Sequence, residues 1–213
     1  MKLNRMLLRV LLPITLIIMA YDVPKGWIKG GNKLKEYDMG IDEGKGMHGN
    51  DAATIASLSD KINGFGTLMQ NIDPEKYKGK RVRLSGFMKA EKVSNWAGFW
   101  MRVDGTVATK TIKTTVKKMH NGSVYESNEQ NRGERKTLAF DNMFNRSLSG
   151  TENWKKCEIV LDVADSATNI AFGALLAGTG QIWFDGLQFD IVDRDVKVTG
   201  LKNKEPMNLD FKK

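Results

Sequence analysis

The sequence holds one cysteine, two histidines, four prolines and no amphipathic helical stretch of convincing length. A single Cys157 excludes an internal disulfide framework and a thiolate zinc cluster. His48 and His120 alone cannot build a three-histidine metal centre. Cys157 itself falls in the alternating run Cys157, Ile159, Leu161, Val163, which reads as a strand with a buried structural thiol rather than a nucleophile. Phosphate-loop and dinucleotide fingerprints are both missing. Acidic residues are plentiful, so a glycosidase carboxylate pair is open in principle, but nothing in the sequence singles one out. A non-catalytic protein is the expectation.

Charge is also scarce once it is located. The formal net charge is +8, but Lys2, Arg5 and Arg9 supply part of it near the N-terminus. The segment 105–137 supplies more, with Lys110, Lys113, Lys117, Lys118, Arg132, Arg135 and Lys136 against Glu126, Glu129 and Glu134. What remains is nearly neutral. The body of the chain therefore has no electrostatic footprint for a phosphate backbone, and nucleic acid is not expected as a partner.

Residues 1–20 read as a targeting segment. Lys2, Arg5 and Arg9 precede an apolar run from Val10 to Met19, interrupted by Pro13 and ending at Ala20. That run is shorter than the ~20 apolar residues that span a bilayer as a helix. Ala20 suits a cleavage site while Ile18 does not, so a cleaved signal peptide and an uncleaved N-terminal anchor both stand. Either predicts membrane targeting and an extracytoplasmic location. No lipobox cysteine is present.

From Tyr21 onward, 21 glycines in the chain and short alternating runs replace helical periodicity. Nine or ten short strands, punctuated by Asn63-Gly64, Asp73-Pro74, Gly79, Gly150 and Gly178-Thr179-Gly180, mark an all-β sandwich or barrel. The glycine-flanked Thr179 predicts a compact hairpin between 169–176 and 181–192. The expected organisation is a β-sandwich domain over 21–195, a polar insertion at 105–137 and a polar tail at 196–213. The insertion reads as a long mobile loop or a protruding hairpin. Val82, Leu84, Met101, Val103, Ile159, Leu161, Phe172 and Phe184 form the expected core.

The most informative stretch runs from Arg81 to Asp104. Val82, Leu84 and Met88 share one face of its first half, leaving Arg83, Ser85 and Phe87 on the other. In its second half Phe99, Met101 and Val103 alternate with Trp100, Arg102 and Asp104. The residues opposite the core set make a candidate platform of Arg83, Phe87, Trp100, Arg102 and Asp104, with Trp96 at its mouth. Flat aromatics match the apolar C–H faces of sugars, and planar polar groups match paired hydroxyls. The competing reading has the aromatics packed under neighbouring segments and the charges solubilising the rim.

The order of several motifs resembles a galactose-binding-like jelly roll of the kind found in carbohydrate-binding modules. These are Gly66-Thr-Leu-Met-Gln, Tyr77-Lys-Gly-Lys-Arg-Val-Arg-Leu-Ser-Gly, Gly98-Phe-Trp-Met-Arg-Val-Asp, Asn153-Trp-Lys-Lys, Glu158-Ile-Val-Leu-Asp-Val and Gly178-Thr-Gly-Gln-Ile-Trp-Phe-Asp-Gly-Leu-Gln-Phe. The chain is similar also to small bacterial modules attached to AraC-type regulators. The resemblance covers about Trp27 to Val192 without the insertion. It implies an antiparallel β-sandwich and a carbohydrate partner. It also implies Asp185 as a candidate ligand of a structural calcium, the one cofactor expected. The alternative is a small-molecule sensing or protein-interaction domain that binds no sugar.

Overall fold

The computed structural model describes residues 20–107, 117–120, 123–126 and 134–200. The targeting segment before Ala20 and the tail beyond Gly200 lie outside the described residues. Among the described residues eleven strands appear in chain order. The first five are β1 (Ile28–Gly30), β2 (Tyr37–Asp42), β3 (Ala52–Ser57), β4 (Phe65–Ile72) and β5 (Arg81–Val107). Next come β6 (Lys117–His120), β7 (Ser123–Glu126), β8 (Glu134–Asp141) and β9 (Leu148–Asp162). The last two are β10 (Ala167–Ala177) and β11 (Gln181–Val192). Among the described residues the helical pieces are 3-10 turns of three residues each, and no helix is long and apolar enough to cross a membrane.

β5 is the axis of the fold. Its first half, 81–91, pairs with β11, and its second half, 96–105, pairs with β10 on the same edge. The opposite edge pairs with β9 over 81–97 and with β8 over 101–107. β3 continues outward from β11 to β2, and β4 continues outward from β10 to β1. The result is an antiparallel sheet of long ribbons folded double across a common line. The first layer is β2, β3, β11, the first half of β5 and β9. The second layer is β1, β4, β10, the second half of β5 and β8. This is an antiparallel β-sandwich of jelly-roll type, as the alternation predicted.

The fold line corrects the predicted hairpin at 178–180. β10 and β11 lie end to end along β5 rather than side by side, so Gly178-Thr179-Gly180 is a corner. Gly178 and Gly180 take φ of +78° and +115°, and a Cβ on Gly180 would come within 2.6 Å of the Lys92 carbonyl. Ser94 follows the same corner in β5, donating its N–H to Thr179 O at 2.9 Å. Its hydroxyl accepts from Thr179 N at 2.8 Å. The Tyr37 hydroxyl pins the line by donating to Gly178 O at 2.7 Å and Gly64 O at 3.2 Å. Burial pushes that phenol up to about 12.

The core lies between the layers. All eight expected core residues are buried. Phe99 of the second layer meets Phe184 of the first edge-on at 6.1 Å, and Phe172 meets Phe189 at 5.1 Å. Trp27 closes one side against Phe172 and Phe184. Burial of each large side chain contributes ~1.5–3 kcal/mol, so the aromatic and aliphatic side chains of the two inner faces together hold the ribbons folded double. Cys157 is buried, and burial pushes its thiol to about 11, which fits the structural reading.

The polar insertion is shorter than 105–137 at both ends, because β5 runs to Val107 and β8 begins at Glu134. Inside it β6 pairs with β7 as a short hairpin, while the remainder of the insertion lies outside the described residues. The expected tail is docked where it is described. Thr199 N donates to Val160 O at 3.0 Å, covering the free edge of β9.

Candidate functional site

The double fold decides which candidate residues meet. Val82, Leu84 and Met88 face the core in one layer, and Phe99, Met101 and Val103 face it from the other. Arg83 and Phe87 therefore lie on the outer face of the first layer, whereas Trp96, Trp100, Arg102 and Asp104 lie on the outer face of the second. The expected single platform is two surfaces on opposite sides of the sandwich. Alternation along β5 is preserved, but the bend at 91–96 turns the strand over.

On the first layer the outer residues are engaged with one another. Arg83 Nη2 lies 3.5 Å from Asp190 Oδ2. Trp183 Nε1 donates to Asp42 Oδ2 at 2.7 Å, and Lys89 Nζ sits 5.0 Å from the Trp183 ring centroid. Asp185, beside Phe87 in register, accepts Met47 N at 3.0 Å and Gly186 N at 2.5 Å. Its carboxylate thus anchors the glycine-rich 43–49 loop. Among the described residues no three His, Cys, Asp or Glu side chains gather as a metal site.

The second layer is arranged differently. Antiparallel register places Asn71, Ala171, Arg102 and Phe140 in one row across β4, β10, β5 and β8. The next row toward the open end holds Asn169, Asp104 and Thr137. Asp104 is only 6% exposed although it points outward. Arg102 Nε reaches its Oδ1 at 2.8 Å and Oδ2 at 3.1 Å. Asn169 Nδ2 donates to Asp104 Oδ2 at 3.3 Å and lies 3.4 Å from Asn71 Oδ1. A chain of planar polar groups results, and Arg102 remains 44% exposed. Asn71 and Asn169, at the end of that chain, line a cleft of about 520 Å³ together with Ile72, Asp73, Glu75 and Lys78.

Toward the fold line the same face is apolar. Ala171 and Gly173 form a floor of small residues buried beneath their neighbours, and Trp100 lies opposite Gly173. Its Nε1 donates to Thr67 Oγ1 at 2.7 Å, and Thr67 passes the bond to Ala174 O at 2.6 Å. Trp100 is only 8% exposed, so it belongs to the floor and is not an open stacking plate. The accessible rings are Phe140, 48% exposed, and Phe144, 66% exposed. Phe144 meets Trp96 edge-on at 5.5 Å. The loop that carries Phe144 is fixed by Asp141, which accepts Arg146 Nη2 at 2.7 Å, Thr199 Oγ1 at 2.6 Å and Met143 N at 2.9 Å. Burial alone would raise the Asp141 carboxyl, but these donors outweigh it and hold it below the usual range.

Sequence reasoning missed Asn71, Asn169, Phe140 and Phe144. Alternation marks the first three as outward, but only strand pairing makes them neighbours of Arg102.

The chain is 35% identical over 193 residues to the uncharacterized HTH-type transcriptional regulator YbfP of Bacillus subtilis. That match covers 88% of this chain and 56% of the regulator, so the chain spans about half the length of that relative. Among solved structures it is similar to the CBM22-1 xylan-binding domain from Paenibacillus barcinonensis Xyn10C. There the identity is 13%, the TM-score 0.46, and 80% of this chain and 88% of that chain are covered. A Stig cyclase from Fischerella sp. TAU is similar at 11% identity and a TM-score of 0.46, covering 81% of this chain and 88% of that one. No family model matches the chain.

Proposed function

We propose that the domain is a non-catalytic binding module for a neutral, hydroxyl-rich ligand of the carbohydrate class, held on the outer face of the second layer. The observation that carries this reading is the juxtaposition of Arg102, Asp104, Asn169 and Asn71 with the exposed ring of Phe140 in the same row, with Phe144 exposed on the loop that follows β8. Planar polar groups match vicinal hydroxyls, and exposed rings match the C–H faces of a sugar. The charges on this face are largely paired, which suits a neutral ligand. The basic-then-apolar segment 1–20 supports placing the module outside the cytoplasm.

A second reading, a small-molecule sensing domain, draws on the likeness to an HTH-type regulator. The described residues of this chain are strands and 3-10 turns, so their share of that match falls on a β-sandwich rather than on a DNA-binding helix pair. Such a domain would work in the cytoplasm.

A glycan array probed with wild type, Arg102→Ala and Arg83→Ala tests the first reading. Wild type and Arg83→Ala are expected to bind the same glycans, and Arg102→Ala to lose at least tenfold in affinity. Binding lost equally in both variants would move the site away from the second layer. No glycan bound by wild type, with a reporter fused after residue 25 retained in the cytoplasm, would transfer the proposal to the sensing domain.

A further inference from the structure

The sandwich parts at one edge. β8 bonds to the second half of β5 and β9 to the first, so the two strands belong to opposing layers. The gap between them holds a pocket of about 170 Å³, partly open to solvent, lined mainly by Leu138, Ala139, Phe140, Leu161, Ala164 and Val198. Ala139 pairs with the core residue Val103 and faces the same way, into the gap, where a longer side chain would fill the space. Gly200 and Asp162 complete the lining.

The roof is a strap, Val196 to Gly200, pinned at both ends. Arg81 Nη1 donates to the carbonyls of Arg194 and Val196 at 2.7 and 2.6 Å. Thr199 is held by the Val160 carbonyl and by Asp141, as described above. The strap therefore keeps its course without filling the space beneath it. Asp162 is engaged by Arg81 through Nε at 2.8 Å and Nη2 at 3.1 Å, so it presents no bare charge to an occupant.

We propose that this pocket is a binding site for a small neutral apolar molecule, about one aromatic ring in size. An apolar space of about 150 Å³ is enough to take up benzene, which sets the size of the occupant. A charged molecule would give up its hydration against a largely aliphatic wall and find no partner there. The site meets the proposed sugar face only at Phe140, and its occupancy does not depend on sugar binding.

Toluene is the probe, read by thermal unfolding and by methyl NMR of the whole chain. Wild type is expected to show a rise in unfolding temperature, with shifts confined to the methyls of Leu138, Ala139, Leu161, Ala164 and Val198. Ala139→Leu is expected to fill the pocket, unfold at the wild-type temperature or above, and lose the toluene response. Val198→Phe, which fills the space from the strap, should lose it too and serves if Ala139→Leu does not fold. Toluene that moves neither the unfolding temperature nor these methyls at its solubility limit overturns the site. So does a response that persists in both filled variants.

Discussion

The two halves of β5 have the same polar–apolar alternation and opposite surroundings. In the first half the outward residues meet partners that close the surface, Arg83 with Asp190 and Lys89 with Trp183. In the second half the outward residues sit over a floor of small residues, beside a row of amides and an exposed ring. The inward residues of both halves fill one core. The difference shows that the pairing neighbours, more than the strand itself, decide what an outer face can do. β11 brings charged and aromatic partners to one half, while β10 brings Ala171 and Gly173 to the other.

The largest test concerns the shared core. Leu84→Ala in the first half and Met101→Ala in the second should each cost ~2–5 kcal/mol, because both side chains are fully buried. Urea unfolding should remain a single transition in each variant. Two separated transitions would show that the halves of β5 belong to independent units, and the double-folded ribbon would be the wrong description.

A sharper comparison sets Trp100 against Phe87. Trp100→Phe removes the buried hydrogen bond to Thr67 and should cost ~1–3 kcal/mol in urea unfolding. Phe87→Ala, at a half-buried outward position, should cost less. The reverse order would mean that Trp100 is a free surface ring after all, as the sequence reading had it.

Smaller effects separate the two halves by pH. Asp141, opposite Met101 in register, has its folded carboxyl held below the ordinary range. It should contribute stability above about pH 4 that is lost as pH falls through its lower folded value. Cys157, opposite Gly86, is raised from 9.0 to about 11. The unfolded thiol ionises first, so stability should fall as pH rises from 9.0 toward about 11. Asp141→Asn should flatten the acid limb and Cys157→Ala the alkaline one, each read from thermal unfolding across pH. An acid limb unchanged in Asp141→Asn would remove the Arg146–Asp141–Thr199 latch as its cause.

By itself the sequence determined that this chain is all-β, which residues of each strand face inward, and that Cys157 is buried. Those properties are local: a period of two in Val82–Leu84 or Ile159–Leu161 is imposed by one strand meeting one core, whatever its partners. Tertiary structure alone decided that Phe87 and Trp100 are on opposite sides, that 178–180 is a corner, and that Asn71, Asn169 and Phe140 surround Arg102. Alternation repeats the same pattern whether a strand stays in one layer or crosses to the other. The crossing brings Phe99 against Phe184, residues far apart in the chain, and β5 makes its bend at Lys92, whose φ is +52°.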